Sequence, residues 1–240
     1  EDIFAYNRKR RDKWIMKNAK SIPDGSMVLD VGAGSCPHKK LFSHCKYYAH
    51  DFAELSDEQI QTQDGYGQLD YVSDILDIPV LDSSFDVILC TEVIEHVPDP
   101  ISTIKEISRI LKPGGALLLT APLQSGLHQE PYHFYGGYTK YWYKKYLSEN
   151  DFSNIKVEAN GSLHTTYFSL GSTIFKGFLE QLFSDSIIIK KALALASIII
   201  FAPIFLFINP LFCFLWEYLY KEQAFTAGYH VFATKKKISD

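Results

Sequence analysis

A short run near the start of the chain joins two glycines to the end of an apolar segment that carries one acid. The run Val28–Ser35 reads VLDVGAGS. Gly32 and Gly34 tolerate a positive φ and let a ligand approach the backbone closely, and a helix that begins after such a turn directs free N–H groups at an anion. Asp30 lies at the last inward position before the turn. The run therefore predicts a ligand-binding turn at the carboxyl end of a strand.

Three later apolar segments also end in residue pairs that could contact a ligand. These pairs are Asp51 with Phe52, Asp74 with Ile75, and Thr91 with Glu92. Because the carboxyl ends of parallel strands meet at one edge of a sheet, we expect the pairs to line one cleft together with the glycine turn. The order of the four segments along the chain makes this prediction more specific than a Gly-x-Gly turn alone.

The segments that must position these residues alternate between strand and helix patterns. The predicted strands are Met27–Val31, Lys46–His50, Leu69–Ser73, Phe85–Thr91, Ala116–Pro122, Asn154–Ala159 and Gly228–Thr234. The predicted helices are residues 4–20, Pro37–Phe42, Pro100–Leu111 and Tyr138–Asn150, and Lys112–Gly115 predicts a turn. Continuous apolar strands with helices between them indicate an α/β fold whose parallel sheet is covered on both faces.

Composition restricts the class of partner and the expected location. The 240 residues are 47% hydrophobic and carry a formal net charge of -4, which gives no reason to expect a nucleic-acid partner. The four cysteines lack the spacing of a disulfide framework, and no secretory signal pattern opens the chain. We therefore expect reduced thiols and a cytoplasmic protein, with the inner face of the membrane as a further expected location.

Several ordered motifs are shared with a known family. They are Val28–Gly34, Asp51, Asp74–Pro79, Ser84–Ile88, Thr91–Val97 and Leu111–Gly115. Over residues 25–160, and again at the last strand, the chain resembles the class I S-adenosylmethionine-dependent methyltransferases. Within them it is most similar to the small-molecule group with a type 11 methyltransferase domain, which includes quinone-biosynthesis enzymes. The resemblance implies a Rossmann-like, mostly parallel sheet with helices on both faces and an antiparallel last strand.

S-adenosylmethionine is the cofactor that this resemblance implies. The residues that would hold it are Asp30, Gly32, Ala33, Gly34, Asp51, Phe52, Asp74, Ile75, Thr91 and Glu92. The glycine turn would take the methionine moiety, with Asp30 near its ammonium group, and Asp51 would accept both ribose hydroxyls. Asp74 would accept from the adenine amino group while Ile75 packs on the ring. Thr91 and Glu92 would flank the side of the pocket that holds the sulfonium sulfur.

Simpler structural explanations exist for some of these residues. Asp30 could cap a helix, Asp51 could lie in a surface turn, and three further aspartates lie near the one assigned to adenine. We interpret Glu95 and His96 as residues that cap and pack the next helix. No metal is predicted, although in some quinone-pathway relatives the Glu-x-x-Glu-His pattern, which starts here at Glu92, is associated with one.

The segment after the strand Ala116–Pro122 is expected to line the acceptor site. Methyl transfer is an in-line displacement from sulfur, so an enzyme mostly positions the nucleophile and removes its proton. His128 and His133 are the predicted bases, because histidine titrates near neutral pH, and Glu130 is less suitable. The alternative is a loop whose histidines only hold its shape. We expect oxygen methylation of an acceptor that is a small molecule or is linked to a lipid or a glycan.

Two other functions are compatible with the glycine turn. An NAD(P)-binding Rossmann oxidoreductase uses a similar turn, but its fingerprint places a third glycine where this chain has Pro37. A membrane-associated module that binds the cofactor without turnover would retain Asp30, Asp51 and Glu92. Only a measurement of turnover separates that module from an enzyme.

A long apolar block precedes the last strand. Residues Ala192–Trp216 contain no charged side chain and would reach about 37 Å as one helix. Pro203 and Asn209–Pro210 are expected to break that helix into pieces too short to cross a bilayer. Because the last strand must rejoin the sheet, we expect a hairpin at a membrane interface or a helical lid. Residues 187–220 would then make a peripheral membrane contact or a homodimer.

The predicted domain organisation follows from these segments. Residues 1–24 form a basic helix that serves as a lid or a membrane-surface element, and residues 25–160 form the methyltransferase core. Residues 161–222 form the apolar helical insertion, and residues 223–240 supply the final strand of the core and a basic tail.

Overall fold

The computed structural model of the chain describes residues 6–60, 65–184, 187–219 and 225–237. Its strands are β1 (Met27–Val31), β2 (Lys46–Asp51), β3 (Tyr71–Val72), β4 (Phe85–Thr91), β5 (Leu111–Pro122), β6 (Phe152–Ala159) and β7 (Gly228–Lys235). Its α-helices are α1 (Tyr6–Ala19), α2 (Asp57–Ile60), α3 (Pro100–Ile110), α4 (Lys140–Glu149), α5 (Leu163–Phe183), α6 (Ile188–Pro203) and α7 (Asn209–Leu219). Short 3-10 helices lie at Lys39–Phe42 and Ile94–His96, and a π-helix lies at Ile204–Ile208.

The seven strands form one sheet in the order β3-β2-β1-β4-β5-β7-β6. β1 pairs in parallel with β2 and β4, and β4 pairs in parallel with β5. β7 pairs antiparallel to β5, and β6 lies beside β7 at the edge of the sheet. The predicted Rossmann-like, mostly parallel sheet with an antiparallel last strand is therefore confirmed.

β4, the central strand of the sheet, is buried on both faces. In β4, consecutive residues Val87, Ile88 and Leu89 are all at most 3% exposed, although neighbouring side chains point to opposite faces. Trp14 and Ile15 of α1 belong to the same apolar cluster as Val87 and Leu89. The part of α1 that carries these two residues therefore packs on one face of the sheet and buries apolar surface there.

The helix before β5 begins at a well-defined cap. The Asp99 side chain accepts a hydrogen bond from the Ser102 backbone N–H at 3.0 Å, and Pro100 occupies the first turn, where its missing N–H costs nothing. Ile104, Ile107 and their neighbours at helical spacing are buried. The sequence predicted this helix to within one residue because both the cap and the apolar period are local signals.

Three predicted elements differ from the structure. The helix expected over Pro37–Phe42 is only a 3-10 helix at Lys39–Phe42, and the strand expected over Leu69–Ser73 is only Tyr71–Val72. The turn predicted at Lys112–Gly115 belongs to the start of β5. It does so because Leu111 pairs with Phe85 across a register shift in β4, and such a long-range pairing overrides the local turn signal.

The chain divides into two compact units. The helical unit consists of Glu1–Arg10 and Ala159–Ala227, and the core unit consists of Arg11–Glu158 and Gly228–Asp240. The boundary between them lies inside α1, so the first residues of this helix group with one unit and the rest with the other. The four domains expected from the sequence stay a prediction of organisation.

Within the helical unit, α5 runs antiparallel to the segment that contains α6 and α7. The ring of Phe178 in α5 stacks on Phe201 in α6, with the ring centroids 6.0 Å apart. His164, near the start of α5, contacts the ring of Trp216 in α7, with centroids 6.1 Å apart. These contacts make a helical hairpin between α5 and the apolar block, whereas the hairpin or lid expected of residues 187–220 at a membrane interface stays a prediction.

The two prolines of the apolar block coincide with changes of helix type. α6 ends at Pro203, α7 begins at Asn209, and the π-helix Ile204–Ile208 lies between them. Proline has no N–H and its ring displaces the preceding turn, and a wider π-helical turn accommodates both effects. Among the described residues, no helix is both long enough and apolar enough to span a membrane.

Candidate functional site

One cavity of about 800 Å³ opens where β1, β2 and β4 end. Its lining residues all belong to the core unit. The lining includes all ten residues predicted to hold the cofactor, namely Asp30, Gly32, Ala33, Gly34, Asp51, Phe52, Asp74, Ile75, Thr91 and Glu92. The structure thus brings together four chain segments that are far apart in sequence, while the role of each residue stays a prediction.

The turn Gly32–Gly34 has no room for a side chain at Gly32, and its three backbone N–H groups have partners within the protein. Gly32 has a φ of +71°, and a Cβ there would lie 2.4 Å from a methyl carbon of Val93. The N–H groups of Gly32 and Ala33 both donate to the carbonyl oxygen of His50, each at 2.9 Å, and the N–H of Gly34 donates to Asp51 at 2.9 Å. Every N–H of the turn is therefore used within the protein.

This arrangement corrects the expectation that the turn would direct N–H groups at an anion. The next helical element along the chain is the single 3-10 turn Lys39–Phe42, which is too short for a substantial helix dipole. A dinucleotide pyrophosphate needs those N–H groups and the helix N-terminus. The oxidoreductase alternative therefore loses its structural basis, in agreement with Pro37 at the third glycine position.

Asp51 is held rigidly at the end of β2. Its Oδ2 accepts from the Gly34 N–H at 2.9 Å, and its Oδ1 accepts from the Ala53 N–H at 3.2 Å. The side chain is buried, so it is not the surface-turn residue of the alternative explanation. Because each carboxylate oxygen has a second lone-pair direction, both can still accept from a ligand.

Asp30 is a buried carboxyl group with one unused oxygen. The hydroxyl of Tyr47 donates to its Oδ2 at 2.5 Å, while its Oδ1 is buried and has no hydrogen-bond partner among the described residues. Burial raises the pKa of Asp30 from 3.8 to about 7, with a smaller contribution from the charge of Asp51 and an opposing effect of the Tyr47 hydrogen bond. A cation bound at the free oxygen would favour the ionised form.

The aspartates around residue 74 have distinct partners. Asp70 accepts from the Ala49 N–H at 2.9 Å, and Asp82 forms an ion pair with Arg109 at 2.7 Å. Asp74 is exposed, lines the cavity and accepts only from the Leu76 N–H in its own turn, at 2.9 Å. Of these three, Asp74 is the one placed to contact a ligand.

Glu92 occupies a strained backbone position at the edge of the cavity. Its φ is +54°, which is uncommon for a residue other than glycine. Its Oε1 accepts from the Thr120 hydroxyl at 2.8 Å, and its Oε2 lies 3.4 Å from a guanidinium nitrogen of Arg11. Arg11 of α1 thus becomes part of the site, although the sequence analysis treated it only as one charge of a basic helix.

Three histidine rings lie close together on the other side of the cavity. The ring centroids of His96 and His128 are 4.7 Å apart, those of His128 and His133 are 4.5 Å apart, and those of His96 and His133 are 5.6 Å apart. Of the described residues that line the cavity, His96 and His128 are members and His133 is not. The structure therefore adds His96 to the predicted pair and places His133 behind it.

Backbone carbonyl groups determine which nitrogen of two rings carries the proton. Nδ1 of His96 lies 2.6 Å from the Tyr132 carbonyl oxygen, and Nδ1 of His128 lies 2.9 Å from the Gly126 carbonyl oxygen. A carbonyl oxygen only accepts, so each Nδ1 must donate and each Nε2 has a free lone pair. Burial lowers the pKa of His96 to about 4, against the effect of the Tyr132 hydrogen bond, and keeps this ring neutral.

Glu95 is buried at the base of the histidine cluster. Its side chain is 1% exposed, and burial together with the charge of Glu92 raises the pKa of Glu95 well above its usual value. Its carbonyl oxygen accepts from the N–H groups of Phe134 and Tyr135 and so holds the loop that contains His133. Glu95 is thus more than the helix-capping residue that the sequence suggested.

A divalent metal ion could be held by part of this cluster. Ligand atoms of Glu95, His96 and His128 all lie within 4.8 Å of one another. Glu92, which the Glu-x-x-Glu-His pattern would add, is used by Thr120 and Arg11 instead. The third residue that the structure groups with Glu95 and His96 is therefore His128, whereas the pattern implies Glu92.

Comparison with known proteins identifies the same part of the chain. Residues 29–119 match a family model described as a methyltransferase domain. The chain is 28% identical over 133 residues to a sarcosine/dimethylglycine N-methyltransferase of Halorhodospira halochloris, covering 52% of this chain and 48% of that protein. It is 33% identical over 109 residues to a ubiquinone biosynthesis O-methyltransferase of Xanthomonas axonopodis pv. citri, covering 43% of this chain and 46% of that protein. The chain thus spans about half the length of these curated relatives.

Solved structures agree on the fold. A candidate sarcosine dimethylglycine methyltransferase from Galdieria sulphuraria superposes with a TM-score of 0.60 at 16% identity, over 95% of this chain and 87% of that one. Further structures with this fold are complexes with S-adenosylmethionine or S-adenosylhomocysteine. At this identity the structures establish the architecture of the sheet and its flanking helices.

Proposed function

We propose that the chain uses S-adenosylmethionine to transfer a methyl group to a hydroxyl oxygen of its acceptor. The acceptor would be a small molecule or one linked to a lipid or a glycan. The observation that carries the proposal is the pair of Nε2 lone pairs, on His96 and His128, in the cavity that also contains Asp30 and Asp51. S-adenosylmethionine would supply an electrophilic methyl group on a sulfonium sulfur.

The residues at the strand ends fit the cofactor by their chemistry. The unpaired Oδ1 of Asp30 suits an ammonium group, because ionisation of a buried carboxyl becomes favourable once a cation is present. The preset carboxylate of Asp51 suits a pair of neighbouring hydroxyl groups. Gly32 keeps the backbone open where any Cβ would meet Val93. These features support the cofactor roles that the resemblance implies.

The acidic side of the cavity suits a cationic sulfur. Glu92 is anchored by Thr120 and Arg11, and its carboxylate lies at the end of β4, where Thr91 also lines the cavity. A fixed negative group stabilises a positive charge more effectively when it needs no reorganisation. Glu92 would therefore orient the sulfonium without itself exchanging a proton.

The state of the histidines favours a hydroxyl acceptor. A hydroxyl must lose its proton as it attacks, whereas a neutral amine can attack without a base. His96 is neutral at physiological pH because its pKa is about 4, so its Nε2 lone pair is free but the ring is a weak base. His128 offers a second Nε2 beside it. We therefore assign the removal of the acceptor proton to His128 or His96, with His133 supporting the ring of His128.

A transfer assay with labelled S-adenosylmethionine tests this function. The purified chain is incubated with phenolic and aliphatic hydroxyl compounds, with primary and secondary amines, and with lipid and glycan extracts. We expect label in a hydroxyl-bearing acceptor, and less label with Asp51→Ala when the cofactor concentration is kept below saturation. Label only in amines would contradict oxygen methylation.

Binding and transfer measurements on the same preparation distinguish an enzyme from a module that only binds the cofactor. Calorimetric binding of S-adenosylhomocysteine with no transfer to any acceptor class would favour the module without turnover. Binding of NAD in its place would contradict the assignment of the cavity. A screen of this breadth also identifies whether the acceptor is free or linked to a lipid or a glycan.

A further inference from the structure

The helical unit exposes an unusual amount of apolar surface. Along α6, exposed side chains include Ile188, Ile189, Leu193 and Ile199, and Phe207 of the following π-helix is 72% exposed. On α5, the exposed residues at successive helical turns are Leu163, Tyr167, Leu170 and Ile174. Patches of this size normally mark a site of contact with another molecule.

The exposed arc of α6 is wider than one protein partner usually covers. At about 100° per residue, the well-exposed positions from Leu195 through Ile188 and Ile189 to Leu193 span an arc of about 160°. A packed amphipathic helix typically buries a stripe of about 100°. An apolar medium that surrounds the helix, rather than one flat protein face, accommodates the wider arc.

Two positively charged side chains lie at the edge of this surface, where anionic lipid headgroups would attract them. Lys190 and Lys191 lie in the first turn of α6, directly after the exposed residues Ile187–Ile189. No charge follows until residue 217. Lysine side chains at such a position can extend to phosphate groups while their stems cover apolar surface.

The two units also differ in net charge. By sequence, the helical unit has seven Lys and Arg residues against six Asp and Glu, whereas the core unit has 17 against 22. An anionic surface would therefore repel the core unit more strongly than the nearly neutral helical unit.

We propose that the helical unit binds an anionic lipid surface, with the exposed side of α6 and the following π-helix embedded among the acyl chains near the headgroups. The occupant is a lipid layer rather than a second copy of the chain, because of the wide apolar arc and the lysine pair at its edge. This inference is independent of the proposed methyl transfer.

Vesicle flotation tests the proposal with the full chain. Vesicles of phosphatidylcholine, with or without phosphatidylglycerol, are floated through a density gradient and the bound protein is measured. We expect the protein to float with the vesicles, and more of it when phosphatidylglycerol is present. Ile188→Asp and Phe207→Asp should each weaken binding at least about tenfold, because each places a charge in hydrocarbon.

The core unit provides a matched control. Leu81 and Ile188 are both 84% exposed, so Leu81→Asp changes side-chain chemistry in the same way on the other unit. It should float like the unmodified protein. Unchanged calorimetric binding of S-adenosylhomocysteine and unchanged circular dichroism verify that each variant is folded.

The lysine pair gives a second, milder test. Lys190→Gln with Lys191→Gln should lower binding to phosphatidylglycerol vesicles about fivefold per charge and leave binding to phosphatidylcholine unchanged. Lys105→Gln with Lys144→Gln, two exposed lysines of the core unit, should change neither.

Three outcomes would overturn the proposal. The protein could stay at the bottom of the gradient with both kinds of vesicle, or Ile188→Asp could float like the unmodified protein. The third is that Ile188→Asp reduces the mass measured by light scattering from dimer to monomer without affecting flotation, which would assign the surface to a second copy.

Discussion

Apolar side chains are mostly buried in the core unit and mostly exposed in the helical unit. Of the described apolar residues that are buried, 33 lie in the core unit and two, Phe175 and Ala194, lie in the helical unit. Of the large apolar residues that are exposed, 22 lie in the helical unit and nine in the core unit. The core unit thus satisfies the hydrophobic effect within itself, whereas much of the apolar surface of the helical unit is left for a partner.

The units differ in chemistry as well. The cavity is lined by core residues, and the groups with strongly shifted pKa values there, such as Asp30, Glu95 and His96, are buried in the core unit. Perturbed groups in a cleft typically indicate a functional site. The comparison therefore separates a unit that contains the cavity and its shifted groups from a unit that exposes apolar surface.

Removing a histidine base should have the largest effect. His128→Ala or His96→Ala is expected to lower turnover about 10²–10⁴-fold, because proton removal from the acceptor contributes that much. Affinity for S-adenosylhomocysteine, measured by calorimetry, should stay within about twofold if the base acts only on the acceptor. Ile188→Asp, in the helical unit, should leave turnover of a water-soluble acceptor unchanged.

Turnover measurements on single and double variants can contradict the assignment of the histidine base. Full turnover in His96→Ala, in His128→Ala and in the double variant would exclude both residues as the base. His133→Ala is expected to have a smaller effect, because its ring supports His128 from outside the cavity lining.

Cavity-forming substitutions compare the stability of the two units. Leu89→Ala removes a fully buried side chain of β4 and should lower the free energy of unfolding by about 2–5 kcal/mol. Ile199→Ala removes a side chain that is 66% exposed and should change it by less than about 0.5 kcal/mol. Urea unfolding followed by circular dichroism gives both values. A large loss for Ile199→Ala in the absence of lipid would mean that the surface is already covered in solution.

Asp51 should determine cofactor affinity. Asp51→Ala is expected to weaken S-adenosylhomocysteine binding by about 1.5–3 kcal/mol, because hydrogen bonds to an ionised group are lost. Asp51 also orders the Gly34 and Ala53 N–H groups, so Asp51→Asn serves as a control that preserves shape and some hydrogen bonding. Equal affinity in all three proteins, by calorimetry, would remove Asp51 from the binding role.

The smallest expected effect is a pH dependence of cofactor affinity. Free Asp30 has a pKa of about 7, and a bound ammonium group selects its ionised form. Protonation therefore competes with binding below pH 7, so affinity should rise about tenfold from pH 6 to pH 8. In Asp30→Asn the pH dependence over this range should largely disappear. A slope that persists unchanged in that variant would show that another group titrates.

Local patterns predicted most of the sheet correctly. β1 and β4 have the bounds that the sequence predicted, because each is a continuous apolar run between turn signals. The parallel order then places Asp51, Asp74 and Glu92 at one edge, which is why the candidate cofactor residues meet in one cavity. Polar residues at the ends of successive strands were therefore enough to predict that these residues line one cavity.

Other parts of the site depend on contacts between distant polar groups. Arg11 was not predicted as a cavity residue, because its place in the lining and its ion pair with Glu92 depend on the fold. His96 was interpreted as a packing residue, whereas the Tyr132 carbonyl, 36 residues away in sequence, determines its proton position. The Glu-x-x-Glu-His pattern was the available signal for His96, but it does not specify which neighbours the ring meets.

The order of the elements, the polar strand ends and the uncharged length of the apolar block could all be predicted, because these features follow from residue type and period. The folded structure was needed to show that His50 and Asp51 accept the N–H groups of Gly32, Ala33 and Gly34. It likewise decided that the apolar block is exposed. Hydrophobicity is a property of the residues themselves, whereas burial depends on whether the rest of the fold supplies enough surface to cover them.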